Sequence, residues 1–154
     1  MAPKRLLCIA PDDLGAIDAL CMDMPDWEIR TVRSLDEAHS ALRQGGYLVG
    51  LLMEVIGARP HLEVERFLRQ HGHVQWVGVL RGEAIKAPAW RDIVADYLCD
   101  HHTLPIDIRR LAHTLGHVHG HAHADASARR ARARGPGVWA RRRMSIGSVW
   151  WSHR

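Results

Sequence analysis

The sequence predicts a doubly wound α/β domain on five parallel strands, followed by a basic C-terminal tail without packed structure. Three observations carry this. Short apolar runs alternate five times with stretches of helical periodicity within about 120 residues. The third run, Tyr47-Leu48-Val49-Gly50-Leu51-Leu52-Met53, is apolar throughout, as a strand covered on both faces requires. All 17 acidic residues stand at or before Asp125, whereas eight of the 21 basic residues follow it. A chain of 154 residues holds one domain with a sizeable core and a tail. With 47% hydrophobic and 25% charged residues, it is neither a disordered, a collagen-like nor a disulfide-scaffold chain.

The first run, Arg5 to Ala10, is closed by Pro11-Asp12-Asp13 and lacks alternation, as a buried parallel strand does. Ile17, Leu20, Cys21 and Met24 then recur at three- and four-residue steps, a helical stripe that Pro25 terminates. Trp27 to Val32 alternates, which suits a strand nearer an edge. Ser34 followed by Glu37 forms a capping box for a helix carrying Leu35, Ala38 and Leu42, and Gly45-Gly46 stops it. After the Tyr47–Met53 strand, His61 to His71 sets Val64, Phe67, Leu68 and His71 on one helical face ended by Gly72. Val74 to Leu80 reads as the fourth strand, Ala89 to Asp96 as a short helix and Tyr97-Leu98-Cys99 as the fifth strand. A last helix from Asp107 buries Ile108, Leu111, Leu115 and Val118.

Parallel neighbours need helical crossovers, and right-handed crossovers place helices on both sheet faces. The flavodoxin-like order is the commonest solution at this length, and its reaction site lies outside the carboxyl ends of the strands. Those ends carry Asp12 and Asp13, then Met53 and Glu54, then Arg81 and Gly82, then Asp100 to Pro105. An acidic pair after the first strand of such a domain resembles the CheY-like receiver domain of response regulators. That resemblance implies a pair that binds magnesium, an aspartate ending strand three that accepts phosphoryl, a Ser/Thr after strand four and a lysine before a proline after strand five. Phosphoryl transfer needs such oxygen ligands and cations together.

Here the set is broken. Met53, or Glu54 in a register shifted by one, stands at the aspartate position; Arg81 replaces the hydroxyl; Leu104 replaces the lysine, and Pro105 is retained. A thioether cannot accept phosphoryl, so the expectation is a non-enzymatic domain without phosphorelay chemistry and without a cofactor. Arg81 either supplies a fixed positive charge beside Asp12 and Asp13, or those two residues only favour the following helix N-terminus through its dipole.

The segment Asp100-His101-His102-Thr103-Leu104-Pro105-Ile106-Asp107, continuing to Leu115-Gly116-His117, resembles more narrowly the degenerate receiver that opens sigma-54-dependent transcriptional activators of the VpsR type. The resemblance covers roughly residues 4–125. It implies a regulatory module of a transcriptional activator whose parent protein binds DNA and sigma-54 RNA polymerase. Relatives continue into an AAA+ ATPase and a helix-turn-helix domain. This sequence contains neither, and no G-x-x-x-x-G-K-[ST] phosphate loop. The expectation is a receiver-like domain over 1–125, truncated before the ATPase.

Residues 1–125 carry 13 basic and 17 acidic groups, a net −4; residues 126–154 carry eight basic and no acidic groups, a net +8. Blocks of like charge stay solvated, so the tail is expected to be disordered. Its arginines, with Trp139, Trp150 and Trp151, read either as a nucleic-acid-binding arm or as the product of a shifted frame in a GC-rich gene, and the second reading is preferred.

Twelve histidines include His113, His117 and His121 at four-residue steps, and His119 and His123 as a second pair. Gly116 and Gly120 weaken a helix there, and no metal site is expected. Cys8, Cys21 and Cys99 are odd in number and widely spaced, which suits buried free thiols. No apolar stretch reaches the roughly 20 residues that span a bilayer, and the expected location is the cytoplasm.

Receivers commonly pair through the face formed by helix four, strand five and helix five. On that pattern the expected partner is a second copy, met by Trp90, Ile93 and Tyr97, although the same residues equally suit ordinary core or cover for the last strand. The rival reading is a phosphorylatable receiver that uses Glu54 as acceptor.

Overall fold

The computed structural model describes residues 3–10, 14–53 and 61–134. In chain order they form β1 (Lys4–Ile9), α1 (Leu14–Asp23), β2 (Trp27–Val32), α2 (Leu35–Arg43), β3 (Val49–Met53), α3 (His61–Gln70), β4 (Gln75–Leu80), α4 (Gly82–Lys86), α5 (Pro88–Tyr97), β5 (Leu98–Thr103) and α6 (Ile108–Arg134). The sheet order is β2-β1-β3-β4-β5, and every pairing is parallel. This is the flavodoxin-like doubly wound order that strand and helix alternation predicts.

Alternation along the strands divides the core into two layers. Leu7 and Ile9 of β1, Leu52 of β3 and Trp76 and Leu80 of β4 pack with Ala38, Leu42, Val64, Phe67 and Ile93 from α2, α3 and α5. Leu6, Cys8, Leu51, Met53, Val77 and Val79 pack on the opposite face with Ile17 and Leu20 of α1 and Leu111 and Leu115 of α6. Because helices cover both faces, β3 and β4 bury almost every residue and β1 its last four, and this is why their runs show no polar alternation. The edge strand β2 alternates exposed and half-buried positions, as its sequence does.

Ser34 caps α2 as expected, with Glu37 N–H donating to Ser34 Oγ at 3.1 Å, while the Glu37 carboxylate reaches one residue further back and accepts from Arg33 N–H at 3.2 Å. Gly45 and Gly46 take φ of 80° and 92°, the left-handed conformation that glycine adopts without steric cost. Arg5 fastens this turn to β1, donating to Gly45 O at 3.0 Å and to Tyr47 Oη at 3.2 Å.

Four features differ from the sequence reading. A short helix, α4, fills Gly82–Lys86. The fifth strand is longer and shifted, running through Asp100-His101-His102 to Thr103. Its polar residues give no strand signal, but pairing with Val77 to Leu80 of β4 holds them extended, after an irregularity that shifts the register past Cys99. Cys21 and Cys99 are exposed, so only Cys8 is a buried thiol. Finally, α6 continues to Arg134, into the segment for which no packed structure is predicted. Alanine and arginine are among the best helix formers, and extending an existing helix avoids the cost of nucleation. The chain divides at Gly120 into two compact units, and within the second, Arg129, Arg130 and Arg132 are exposed. No helix among the described residues is long and apolar enough to cross a membrane.

Candidate functional site

Parallel pairing brings the carboxyl ends of β3, β4 and β5 to one edge. Met53 stands opposite Val79, and Leu80 opposite Thr103. Of the residues that sequence reasoning assigns to the strand ends, the register brings Met53 beside β4 and sets Arg81 and Leu104 directly after the paired ends of β4 and β5. Met53 is 7% exposed and belongs to the core under α1 and α6. The Cys8 thiol lies 4.0 Å from the Met53 sulfur, so a soft thiol–thioether contact closes the core beneath the end of β3. Burial, with the neighbouring Cys21, pushes the Cys8 thiol up to about 12, and it stays protonated at neutral pH.

Arg81 directly follows β4 and is the N-cap residue of α4, with extended backbone (φ −71°, ψ 145°) and no side-chain capping bond. Its guanidinium is exposed. Leu104 N–H donates to Leu80 O at 3.0 Å, which continues the β4–β5 ladder by one step past Thr103. The Leu104–Pro105 peptide is cis, and Leu104 is 37% exposed. Asp12, Asp13 and Glu54 lie outside the described residues. Among the described residues, this edge holds a thioether, a guanidinium and an isobutyl group.

Behind this edge, His102 is buried and its Nε2 lies 2.9 Å from Thr114 Oγ1 of α6. Burial lowers the pKa of His102, which keeps the imidazole neutral and able to share one hydrogen bond with the hydroxyl.

The expected partner face needs correction. Trp90 is 8% and Ile93 1% exposed, and both pack in the core beneath α5; Tyr97 is half-buried against the same cluster. Their helical spacing is that of a buried stripe; the exposed residues of this region include Arg91, Asp92 and Asp96 of α5 and Cys99, Asp100, His101 and Thr103 of the edge strand β5.

A second polar cluster was not singled out from sequence. His39 Nδ1 lies 2.8 Å from His71 Nε2 across α2 and α3, and His71 is 6% exposed. The Phe67 ring packs on His71 at 4.7 Å, and Trp76 Nε1 donates to His71 O at 3.2 Å. Beside the pair opens a groove of about 440 Å³ lined by Leu35, Asp36, His39, Glu63, Arg66, Phe67 and Gln70. Helical spacing carries the signal for it: His39 follows Leu35 by one turn, and His71 lies on the Val64–Phe67 face. The C-terminal histidines are partly absorbed by packing, since His119 meets the Trp27 ring edge-on at 5.1 Å. Among the described residues, no group of three or more His, Cys, Asp or Glu side chains is arranged to hold a metal ion.

Comparison with solved structures gives the same fold. The chain is similar to an adenylate cyclase from Rhodopirellula baltica (12% identity, TM-score 0.72, 87% of this chain and 100% of that chain covered). It is similar to the receiver domain of a putative LuxO repressor protein from Vibrio parahaemolyticus (13% identity, TM-score 0.67, 83% and 98% covered). It also resembles a CheY-like response regulator receiver domain from Methanospirillum hungatei JF-1 (18% identity, TM-score 0.61, 78% and 98% covered). At these identities the likeness is one of fold: the receiver fold of response regulators. No curated protein sequence matches. The family model described as the VpsR domain matches residues 2–116, three-quarters of the chain, and this receiver-like protein belongs to that family.

Proposed function

We propose that the chain is a regulatory module of a sigma-54-dependent transcriptional activator that signals by self-association or by contact with other domains, without phosphorylation of an aspartate. The observation that carries this reading is Met53. A buried thioether in contact with the Cys8 thiol occupies the end of β3, the position that receives phosphoryl in receivers, and it has no oxygen to accept the group. Arg81 and Leu104 support the same reading, since neither offers the hydroxyl or the ammonium that the transition state requires. A degenerate edge of this kind keeps a fixed shape, and shape is what a docking partner reads. The proposed partner is a second copy, meeting the face of α5, β5 and α6, where the open edge of β5 and its exposed polar residues stand. The parent activator would engage DNA and sigma-54 RNA polymerase through other domains, inside the cytoplasm.

Incubation with acetyl phosphate and magnesium tests the proposal. The intact mass is expected to stay unchanged, and tryptophan fluorescence is expected to be indifferent to beryllofluoride with magnesium. Gain of one phosphoryl group, at Glu54 or elsewhere along the strand ends, overturns it. Sedimentation equilibrium tests the pairing: a concentration-dependent dimer weakened by His101→Glu supports the β5 face, and a dimer indifferent to that change removes it.

A further inference from the structure

Beyond Gly120 the last helix changes character. Residues 121–134 contain Arg129, Arg130, Arg132 and Arg134 and a single acid, Asp125, and the helix holds through all of them. The first three arginines are exposed. Arg129 and Arg132 stand three residues apart, so one turn of helix separates neighbouring guanidinium groups on one side, and Arg130 projects from the adjacent side. Ser127 and Ala128 precede the arginines, and only Ala131 and Ala133 separate them. A helix with only alanine between its arginines and serine and alanine before them is slim, and no bulky side chain among them holds it off a charged surface.

We infer that the C-terminal segment of α6 is a nucleic-acid-binding arm that grips the phosphate backbone of duplex DNA without reading its sequence. Guanidinium groups meet phosphate oxygens through paired hydrogen bonds, and each contact releases a condensed counterion. Charge complementarity selects the partner: residues 126–154 carry eight arginines and no acid, while residues 1–125 are net negative and are repelled by the same surface. An anionic bilayer is a poorer fit. Surface-seeking membrane helices need a face of large apolar residues to enter the acyl boundary, and residues 121–134 offer only alanine. This inference is independent of the phosphorylation proposal and stands or falls by other measurements.

Fluorescence anisotropy of a short labelled DNA duplex with the full chain tests it. Binding is expected at low salt, and log affinity is expected to fall linearly with log salt. Replacing Arg129, Arg130 and Arg132 by glutamine keeps good helix formers and removes three charges. That variant should flatten the slope by about 2.7, at about 0.9 per phosphate, so that a fourfold rise in salt costs it about 40-fold less affinity than it costs the parent. The triple lysine variant keeps the charge and should retain the slope. No binding by the parent chain, an unchanged slope in the glutamine variant, or equal losses in the glutamine and lysine variants overturns the inference. Vesicles of phosphatidylserine that displace the duplex at equal phosphate concentration also overturn it, in favour of a membrane surface.

Discussion

Gly50 of β3 and Trp76 of β4 are register partners, and the indole occupies the space that a side chain on Gly50 would need. A Cβ at Gly50 would lie 2.5 Å from Cε3 and 2.8 Å from Cη2 of the ring. Both residues are held by strands whose neighbours are fully buried, so the ring has nowhere to retreat. Gly50→Ala is expected to destabilise the fold by about 1–3 kcal/mol through overpacking. In a Trp76→Phe background the same change should cost much less, because the smaller ring frees the space, and chemical denaturation of the four chains measures that coupling. Additive effects would show that the two residues do not compete for one volume.

The His39–His71 pair makes stability depend on pH. Burial lowers the pKa of His71, and the nearby His39 and His73 add to the effect; burial lowers that of His102 as well. The folded state therefore holds these protons less tightly than the unfolded chain, in which a histidine titrates near 6.5. Stability is fully present above that pH and is lost as the pH falls from there toward the depressed folded values. Thermal melts are expected to show a lower Tm at pH 5.5 than at pH 7.5, and His71→Gln should make the difference smaller. A melting temperature indifferent to pH over this interval would contradict the burial of both imidazoles.

Thiol reactivity should separate the three cysteines. Cys21 and Cys99 are exposed, whereas Cys8 is fully buried with its pKa pushed up to about 12. Native protein at pH 8 is expected to react with a thiol reagent at two sites and to release the third only on unfolding. Cys21 should react before Cys99, whose pKa burial raises and whose Sγ lies 2.8 Å from Gln75 Oε1. Prompt modification of all three in the folded state would show that the floor of the strand edge is open to solvent.

Restoring one group at the strand edge should not restore phosphoryl transfer. Met53→Asp places a carboxylate beside the buried Cys8 sulfur and is expected to cost about 1–3 kcal/mol of stability. With Arg81 and Leu104 unchanged, it should take up no phosphoryl from acetyl phosphate and magnesium. The combined variant Met53→Asp/Arg81→Thr/Leu104→Lys should gain the mass of one phosphoryl group. Uptake by the single variant would show that the other two positions are immaterial.

The doubly wound fold and strands β1, β3 and β4 were legible because buried parallel strands write their position as uninterrupted apolar runs, and β2 because an edge strand alternates. The Ser34 cap and the glycine stop of α2 were legible for a related reason, since both act through bonds within a few residues. Strand β5 was not: Asp100-His101-His102-Thr103 is polar, and only its pairing with Val77 to Leu80 makes it extended. For Trp90 and Ile93 the sequence left a docking face and a core stripe equally open, because periodicity identifies a stripe but not what covers it; the fold buries both.

What the sequence determined by itself is the periodicity of burial, the identity of the residues at the strand ends and the separation of acid from base along the chain. These are properties of neighbours in sequence, and local sterics, solvation and charge suffice to express them. Tertiary structure alone decided that the Cys8 and Met53 sulfurs meet, that His39 finds His71 across two helices and that the Trp76 ring lies over Gly50. Each of these depends on how far one element slides or turns against another, and close packing of the whole core sets that choice.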